Sequence, residues 1–375
     1  MRFNRILRQG CSALLLCLAS TTGVYAEPET TPTANPNGTL AATLGIERTI
    51  HSQRLDQEQS YSVFLPKHYD PAKAYPVLYL FDGQEHYLKT LGVIEGLTDG
   101  IWPSMPDLIL VGLDNRDRMR NYTPTHTLLL PNGENGSPAY ARTGGGTAFL
   151  DFIDKELRPR IQQDYSTSHL SILAGHSFGG LMTLEAYRDK RDFNAFVAID
   201  PSLWFDYPDY YRQLEADLKT GDDEGTKRGA LFIAASDNPF TPGLGMSSLH
   251  RDLIQALGES LSAGDADRVL STFYPATDHS SVVLPALEQS LAWLFYGYRI
   301  GLTANGPNSP EVINGYRVLS HRLGAEIKPE RPDLQFQWAY LSQRLPASDQ
   351  TPLFKELLEH YYPDQPIEPR GKMAH

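Results

Sequence analysis

Six short runs in this chain are apolar on both faces: Pro76–Phe81, Leu108–Leu113, Leu170–Ala174, Ala195–Ile199, Leu231–Ala235 and Val269–Tyr274. A strand with one wet face alternates polar and apolar residues, so continuous apolar strands belong to a sheet covered by helices on both sides. Helical segments fall between and after these runs, at Gly146–Ile161, Gly179–Arg188, Ser247–Leu261 and Leu284–Tyr298. In the first of them Phe149, Phe152, Ile153, Leu157 and Ile161 form one apolar stripe at helical spacing. Strands alternating with helices imply an α/β fold, with a mostly parallel sheet and right-handed crossovers. Ahead of the first run, Arg48–Leu55 and Ser60–Leu65 alternate with a period of two and read as an antiparallel pair.

Composition shifts divide the 375 residues into four parts. Residues 1–26 read as a cleaved signal peptide: Arg2, Arg5 and Arg8 precede the short apolar core Ala13–Ala19, and Ala26 offers a small residue for cleavage. That core is too short to span a bilayer, so no stable membrane insertion is expected after cleavage. Residues 27–46, rich in Thr, Pro, Asn and Ala, read as a flexible leader. The α/β domain is expected over 47–300. A turn-forming stretch, Gly301–Pro310, opens a helical extension over 301–375, with helices expected at Glu311–Leu323, Leu334–Leu345 and Pro352–Tyr361.

Charge and cysteine content exclude several classes of function. With 33 Lys+Arg against 45 Asp+Glu the formal net charge is −12, and an acidic surface repels nucleic-acid backbones. Both cysteines, Cys11 and Cys17, lie in the expected signal peptide, so the mature chain is expected to have no thiol nucleophile, thiolate metal site or disulfide. No H-E-x-x-H, P-loop or dinucleotide fingerprint occurs, and no metal or organic cofactor is implied.

The chemistry concentrates in Gly175-His-Ser177-Phe-Gly179, which follows an apolar strand and opens a helix. A strand-to-helix turn that sharp forces its serine into a strained backbone conformation and leaves no room for flanking side chains. Ser177 is therefore the candidate nucleophile; the bland alternative is a serine that only caps the helix. A serine needs a base. Of the histidines downstream of it, only His279 lies on the loop directly after the last strand; His250 falls in an expected helix, His321 and His360 in the helical extension and His375 at the chain end. The acid that orients the imidazole is expected after the strand before that one, at Asp237, with Asp278, Asp267 or a Ser–His dyad as alternatives. Two amides should hold the oxyanion, those of Phe178 and Gln84. Gly144-Gly145-Gly146 precedes a later helix and reads as an active-site-edge loop or the start of that helix.

Taken in order, Ala74–Gly83, Val111–Arg118 with Thr123-Pro124, Phe149–Ile153, Gly175–Gly180, Asp200-Pro-Ser-Leu-Trp204 and Asp278-His279-Ser280 resemble the putative-esterase family of the α/β-hydrolases. That family includes esterase D-like enzymes and esterases that open trilactone catecholate siderophores. The resemblance implies a serine carboxylesterase acting on a small-molecule ester, with Arg118, Arg120 and Trp204 as candidates for lining the substrate cleft. It also marks a departure: the family often has Ser-Pro-Ser where this chain has Asp200-Pro201-Ser202. The helical tail more faintly resembles tetratricopeptide-like appendages. Two rival functions stay open, an acyltransferase using the same residues and an inactive hydrolase serving as a binding module. The sequence leaves the oligomeric state open.

Overall fold

The apolar runs pair into one eight-stranded sheet in the order β1-β2-β4-β3-β5-β6-β7-β8. The computed structural model describes residues 44–100, 102–130, 132–220, 228–238, 247–301, 306–344 and 351–367. The expected signal peptide and most of the leader lie outside them. Strands β1 (Ile46–Ser52) and β2 (Gln57–Phe64) pair antiparallel, and β2 joins β4 (Ile109–Leu113) antiparallel. From β4 onward the sheet is parallel, through β3 (Tyr75–Phe81), β5 (Thr167–His176), β6 (Ala195–Ile199), β7 (Ala230–Ser236) and β8 (Val269–Tyr274). β1 stops at Ser52, short of the expected Leu55, because the chain turns there with Asp56 at a φ of 51°.

Alternation persists inside the wholly buried strands and splits the core in two. Val77, Tyr79, Phe81, Leu173, Phe196 and Ala198 face one layer. Leu78, Leu80, Ile172, Ala174, Val197 and Ile199 face the other. Helices α3 (Gly146–Phe152), α4 (Arg158–Asp164), α5 (Phe178–Arg188), α6 (Asp209–Lys219) and α7 (Ser247–Gly264) supply the first layer. The segment expected as one helix from Gly146 thus forms two, joined by a π turn over Ile153–Leu157 that keeps Phe149, Ile153, Leu157 and Ile161 buried. The four-residue α2 (Arg118–Asn121) packs beside α3.

Helices α1 (Gly83–Thr98) and α8 (Val283–Leu294) cover the second layer, and the C-terminal helices extend it. On α9 (Ser309–Leu323), Val312, Tyr316, Leu319 and Leu323 make one buried stripe. A reciprocal capping box between Asn308 and Glu311 starts that helix. Helices α10 (Arg331–Arg344) and α11 (Thr351–Tyr361) complete the tail, and their Leu334, Leu341, Phe354 and Leu357 belong to the same apolar cluster as the sheet. The Asn194 side chain donates to Leu323 O at 3.0 Å, and Lys73 pairs with Glu330 at 2.7 Å. No helix among the described residues is long and apolar enough to cross a membrane.

Parallel strands share a direction, so the sheet has two unlike ends. Residues just past the carboxyl ends include Asp82, Ser177, Asp200 and Asp237. At the opposite end, under α10, lies a cavity of about 380 Å³ whose lining includes Lys73, Asp107, Glu330 and Asp333.

Candidate active site

Ser177 stands between β5 and α5 with φ 60° and ψ −120°, a conformation that side chains rarely adopt. Its neighbours show why the turn needs glycine. A Cβ on Gly175 would lie 2.3 Å from the Gly179 carbonyl oxygen, and one on Gly179 would lie 2.8 Å from Phe81 Cβ. The strain is held by bonds on both sides, from Ser177 N–H to Ile199 O at 3.0 Å and from Ser202 N–H to Ser177 O at 3.1 Å. The Ser177 hydroxyl is 3.2 Å from the buried Ser202 hydroxyl, and no hydrogen bond joins it to His279. A resting serine is often turned away in this manner, and rotation about one bond re-aims it.

The carboxylate at His279 is Asp200, not Asp237. Asp200 is fully buried just past β6, and its Oδ2 accepts from His279 Nδ1 at 2.6 Å. An ionised carboxylate only accepts, so the hydrogen sits on Nδ1 and Nε2 is left to take a proton. Asp200 also accepts from Ser236 N–H at 2.9 Å, Ser236 Oγ–H at 2.8 Å, Asn238 Nδ2 at 3.4 Å and His250 Nε2 at 3.1 Å. Burial alone would raise this carboxyl. The bonds from His250 and His279 instead hold it far below the ordinary carboxylate range.

Asp237 does lie past β7, but its carboxylate pairs with Arg251 of α7 at 3.0 Å. Strand order accounts for the difference: β7 is flanked by β6 and β8, and a buried residue past β6 reaches across the end of β7 to the loop after β8. Asp278 turns away from the ring and accepts from the Ser280 and Ser281 amides at 2.9 and 2.8 Å. These bonds lower its carboxyl and shape the loop that carries the base.

Sequence reasoning missed two other histidines. His176 donates from Nε2 to the His279 carbonyl oxygen at 2.6 Å, and its ring lies 4.4 Å from the His279 ring. Burial, with His279 and His86 nearby, pushes His176 well below the usual histidine range, so it stays uncharged. His250 reaches the same Asp200 oxygen as His279. Only proximity in the fold reveals it, because its place inside a helix far along the chain carries no motif. The ligand atoms of Asp200, His250 and His279 lie within 4.8 Å of one another, a set that can also bind a metal ion. Its 2.6 and 3.1 Å spacings are those of hydrogen bonds.

The two expected oxyanion amides lie at the starts of neighbouring elements. Phe178 opens α5 after β5, Gln84 is in the first turn of α1 after β3, and β3 pairs with β5. First-turn amides have no acceptor inside their own helix, which leaves them available to an anion. The glycine beside Gln84 serves packing: a Cβ on Gly83 would lie 2.7 Å from the Gly112 backbone. Arg118 grips the fully buried Asp82 with two bonds of 2.9 Å, and its guanidinium lies 5.8 Å from the centre of the Phe178 ring. It therefore anchors the turn after β3 while edging the nucleophile's neighbour. Burial still holds the Asp82 carboxyl above its usual value against the pull of Arg118. Trp204 is half-buried, 5.6 Å from Phe178 ring to ring, and Arg120 is half-buried in α2. Gly144–Gly146 lead into α3, where Cβ atoms on Gly145 and Gly146 would strike Arg120 and Met182.

Comparison with known proteins places this arrangement. Residues 52–206 match the family described as "Putative esterase". The ferri-bacillibactin esterase BesA of Bacillus subtilis is 30% identical over 194 residues, 48% of this chain and 66% of that protein. The apo-salmochelin esterase of Escherichia coli O6:H1 is 26% identical over 204 residues, 50% of this chain and 60% of that protein. The chain thus spans less than two thirds of the length of either curated relative. An IroE-like serine hydrolase from Shewanella oneidensis superposes with a TM-score of 0.76 at 36% identity, covering 84% of this chain and 99% of that one. The serine elbow, the α/β sheet and these likenesses agree, and the chain belongs to the putative-esterase family of the α/β-hydrolase superfamily.

Proposed function

We propose that the protein is an exported serine carboxylic-ester hydrolase working through an acyl-enzyme on Ser177. The observation that carries this reading is a serine at φ 60° on the β5–α5 turn, with a histidine at the same sheet end bonded to a buried, ionised aspartate.

The steps follow from the groups present. Ser177 Oγ attacks the ester carbonyl as its proton passes to His279 Nε2. The negative charge on the carbonyl oxygen is held by the amides of Phe178 and Gln84. Asp200 stays ionised and stabilises the imidazolium. His279 then gives its proton to the departing alkoxide oxygen, releasing the alcohol and leaving the acyl group on Ser177. A water molecule attacks this acyl ester, its proton going to His279 Nε2 and then to Ser177 Oγ as the acid leaves.

The substrate class is a small-molecule ester of the siderophore kind, supported by the named activities of BesA and the salmochelin esterase. Arg118 beside Phe178 is neutralised by Asp82, which leaves Arg120 of the same short helix as the positive charge suited to an ester that carries negatively charged catecholate groups. Export rests on the cationic, then apolar start of the chain.

A fluorophosphonate probe together with a panel of short acyl, sugar, feruloyl and trilactone catecholate esters tests the reading. Labelling and turnover in the wild type, both lost in Ser177→Ala, are expected. A wild type that neither reacts with the probe nor cleaves any ester would replace the enzyme with a binding module.

A further inference from the structure

Asp200 Oδ2 serves two imidazoles at once. His279 Nδ1 lies 2.6 Å away and His250 Nε2 lies 3.1 Å away, with the two rings 5.5 Å apart and inclined at 74°. His250 is buried and projects from the first turn of α7. The next residue, Arg251, pairs with Asp237 at 3.0 Å. Two consecutive residues of α7 are thus fastened to the ends of β6 and β7, and the Asp237 ion pair fixes the turn from which His250 reaches Asp200.

We infer that His250 is a positioning residue for ester cleavage, acting through Asp200. A carboxylate can rotate about its last bond and present either oxygen. The Ser236 amide at Oδ1, with the Ser236 hydroxyl, Asn238 and His250 at Oδ2, sets which oxygen faces His279. The His250 N–H also keeps the carboxylate in its ionised form while positive charge develops on His279. The other ring nitrogen of His250, Nδ1, is buried and has no hydrogen-bond partner among the described residues. The one side-chain hydrogen bond of His250 among the described residues is directed at Asp200.

This inference rests on the esterase reading, and the test separates the two. Steady-state hydrolysis of one soluble ester is measured for the wild type, Ser177→Ala and three variants: His250→Gln, whose amide nitrogen matches Nε2, and His250→Asn and His250→Phe, which offer no donor there. The last two are expected to lose roughly 10–100-fold in kcat with KM nearly unchanged, the size of one hydrogen bond to a charged group. His250→Gln is expected to recover to within a few-fold of the wild type. In an Asp200→Asn background, His250→Asn should add almost nothing, since its effect travels through that carboxylate. Equal activity in all three variants, equal loss in all three, or full additivity with Asp200→Asn would overturn the inference. The Gln and Asn pair separates these outcomes even if the Phe variant fails to fold. A wild type with no Ser177-dependent turnover would overturn the esterase reading and this inference together.

Discussion

Two buried acids at opposite ends of the sheet, Asp200 and Asp333, are handled in opposite ways. At the carboxyl end Asp200 is sealed from solvent and receives five hydrogen bonds, which hold it ionised. At the amino end Asp333 lines the cavity under α10 with Glu330 and Asp107 nearby. Among the described residues no donor bonds its carboxylate. Burial, Glu330 and Asp107 push it up to about 6, against the pull of Lys73. Burial raises a carboxyl in both places, and donors decide the outcome. The Asp200 position is pre-organised for charge, and the Asp333 position tolerates it poorly.

Four substitutions, one of them with a control at Asp237, sharpen this contrast, in decreasing order of effect. Ser177→Ala should lower kcat by about 10⁴–10⁶-fold with the fold unchanged, because removing one oxygen leaves the turn intact. Steady-state turnover and circular dichroism check it, and residual activity within tenfold of the wild type would contradict it. Asp200→Asn should cost about 10⁴ in kcat by presenting the wrong tautomer to the base, whereas Asp237→Asn should cost less than about tenfold. The reverse ranking would return the acid to the end of β7.

Arg118→Met is the third. It strands the buried Asp82 without its partner and should lower stability by about 2–4 kcal/mol, between the values for exposed and buried pairs. Urea unfolding measures it, and a loss under about 0.5 kcal/mol would show that the turn after β3 does not depend on this pair.

The fourth substitution acts at the other end. The Asp333 carboxyl is raised in the folded state, so folding favours its protonated form, and stability falls as pH rises from about 4 to about 6. Asp333→Asn removes that penalty. It should stabilise the protein by on the order of 1–2 kcal/mol at pH 8 and by nothing at pH 4. A gain of equal size at both pH values, or a loss at pH 8, would contradict a charge penalty at the amino end of the sheet.

How much of this was legible in the chain depended on whether the signal was local. The β5–Ser177–α5 turn is local: an apolar run, two glycines around a serine and a helix stand in sequence, and the structure has that order. His279 was legible because it follows the last strand. Asp200 was hidden by a topological expectation, since an acid sought after β7 is found at Asp237, and Asp237 spends its charge on Arg251. The available signal was the departure itself, an aspartate where the family often has the first serine of Ser-Pro-Ser. His250 and His176 had no signal, because each acts through a contact made only when distant segments meet. The π turn at Ile153–Leu157 was invisible for a related reason: it leaves the apolar stripe unchanged.

The central claim is that the hydrogen on His279 Nδ1 is held by Asp200, and proton NMR of protein with isotopically labelled histidine observes that hydrogen directly. A hydrogen bond of 2.6 Å to an ionised carboxylate should give a slowly exchanging N–H resonance shifted far downfield of ordinary imidazole N–H signals. That resonance should vanish in His279→Ala and in Asp200→Asn and persist in Asp237→Asn. Its survival in Asp200→Asn, with loss in Asp237→Asn, would contradict the account.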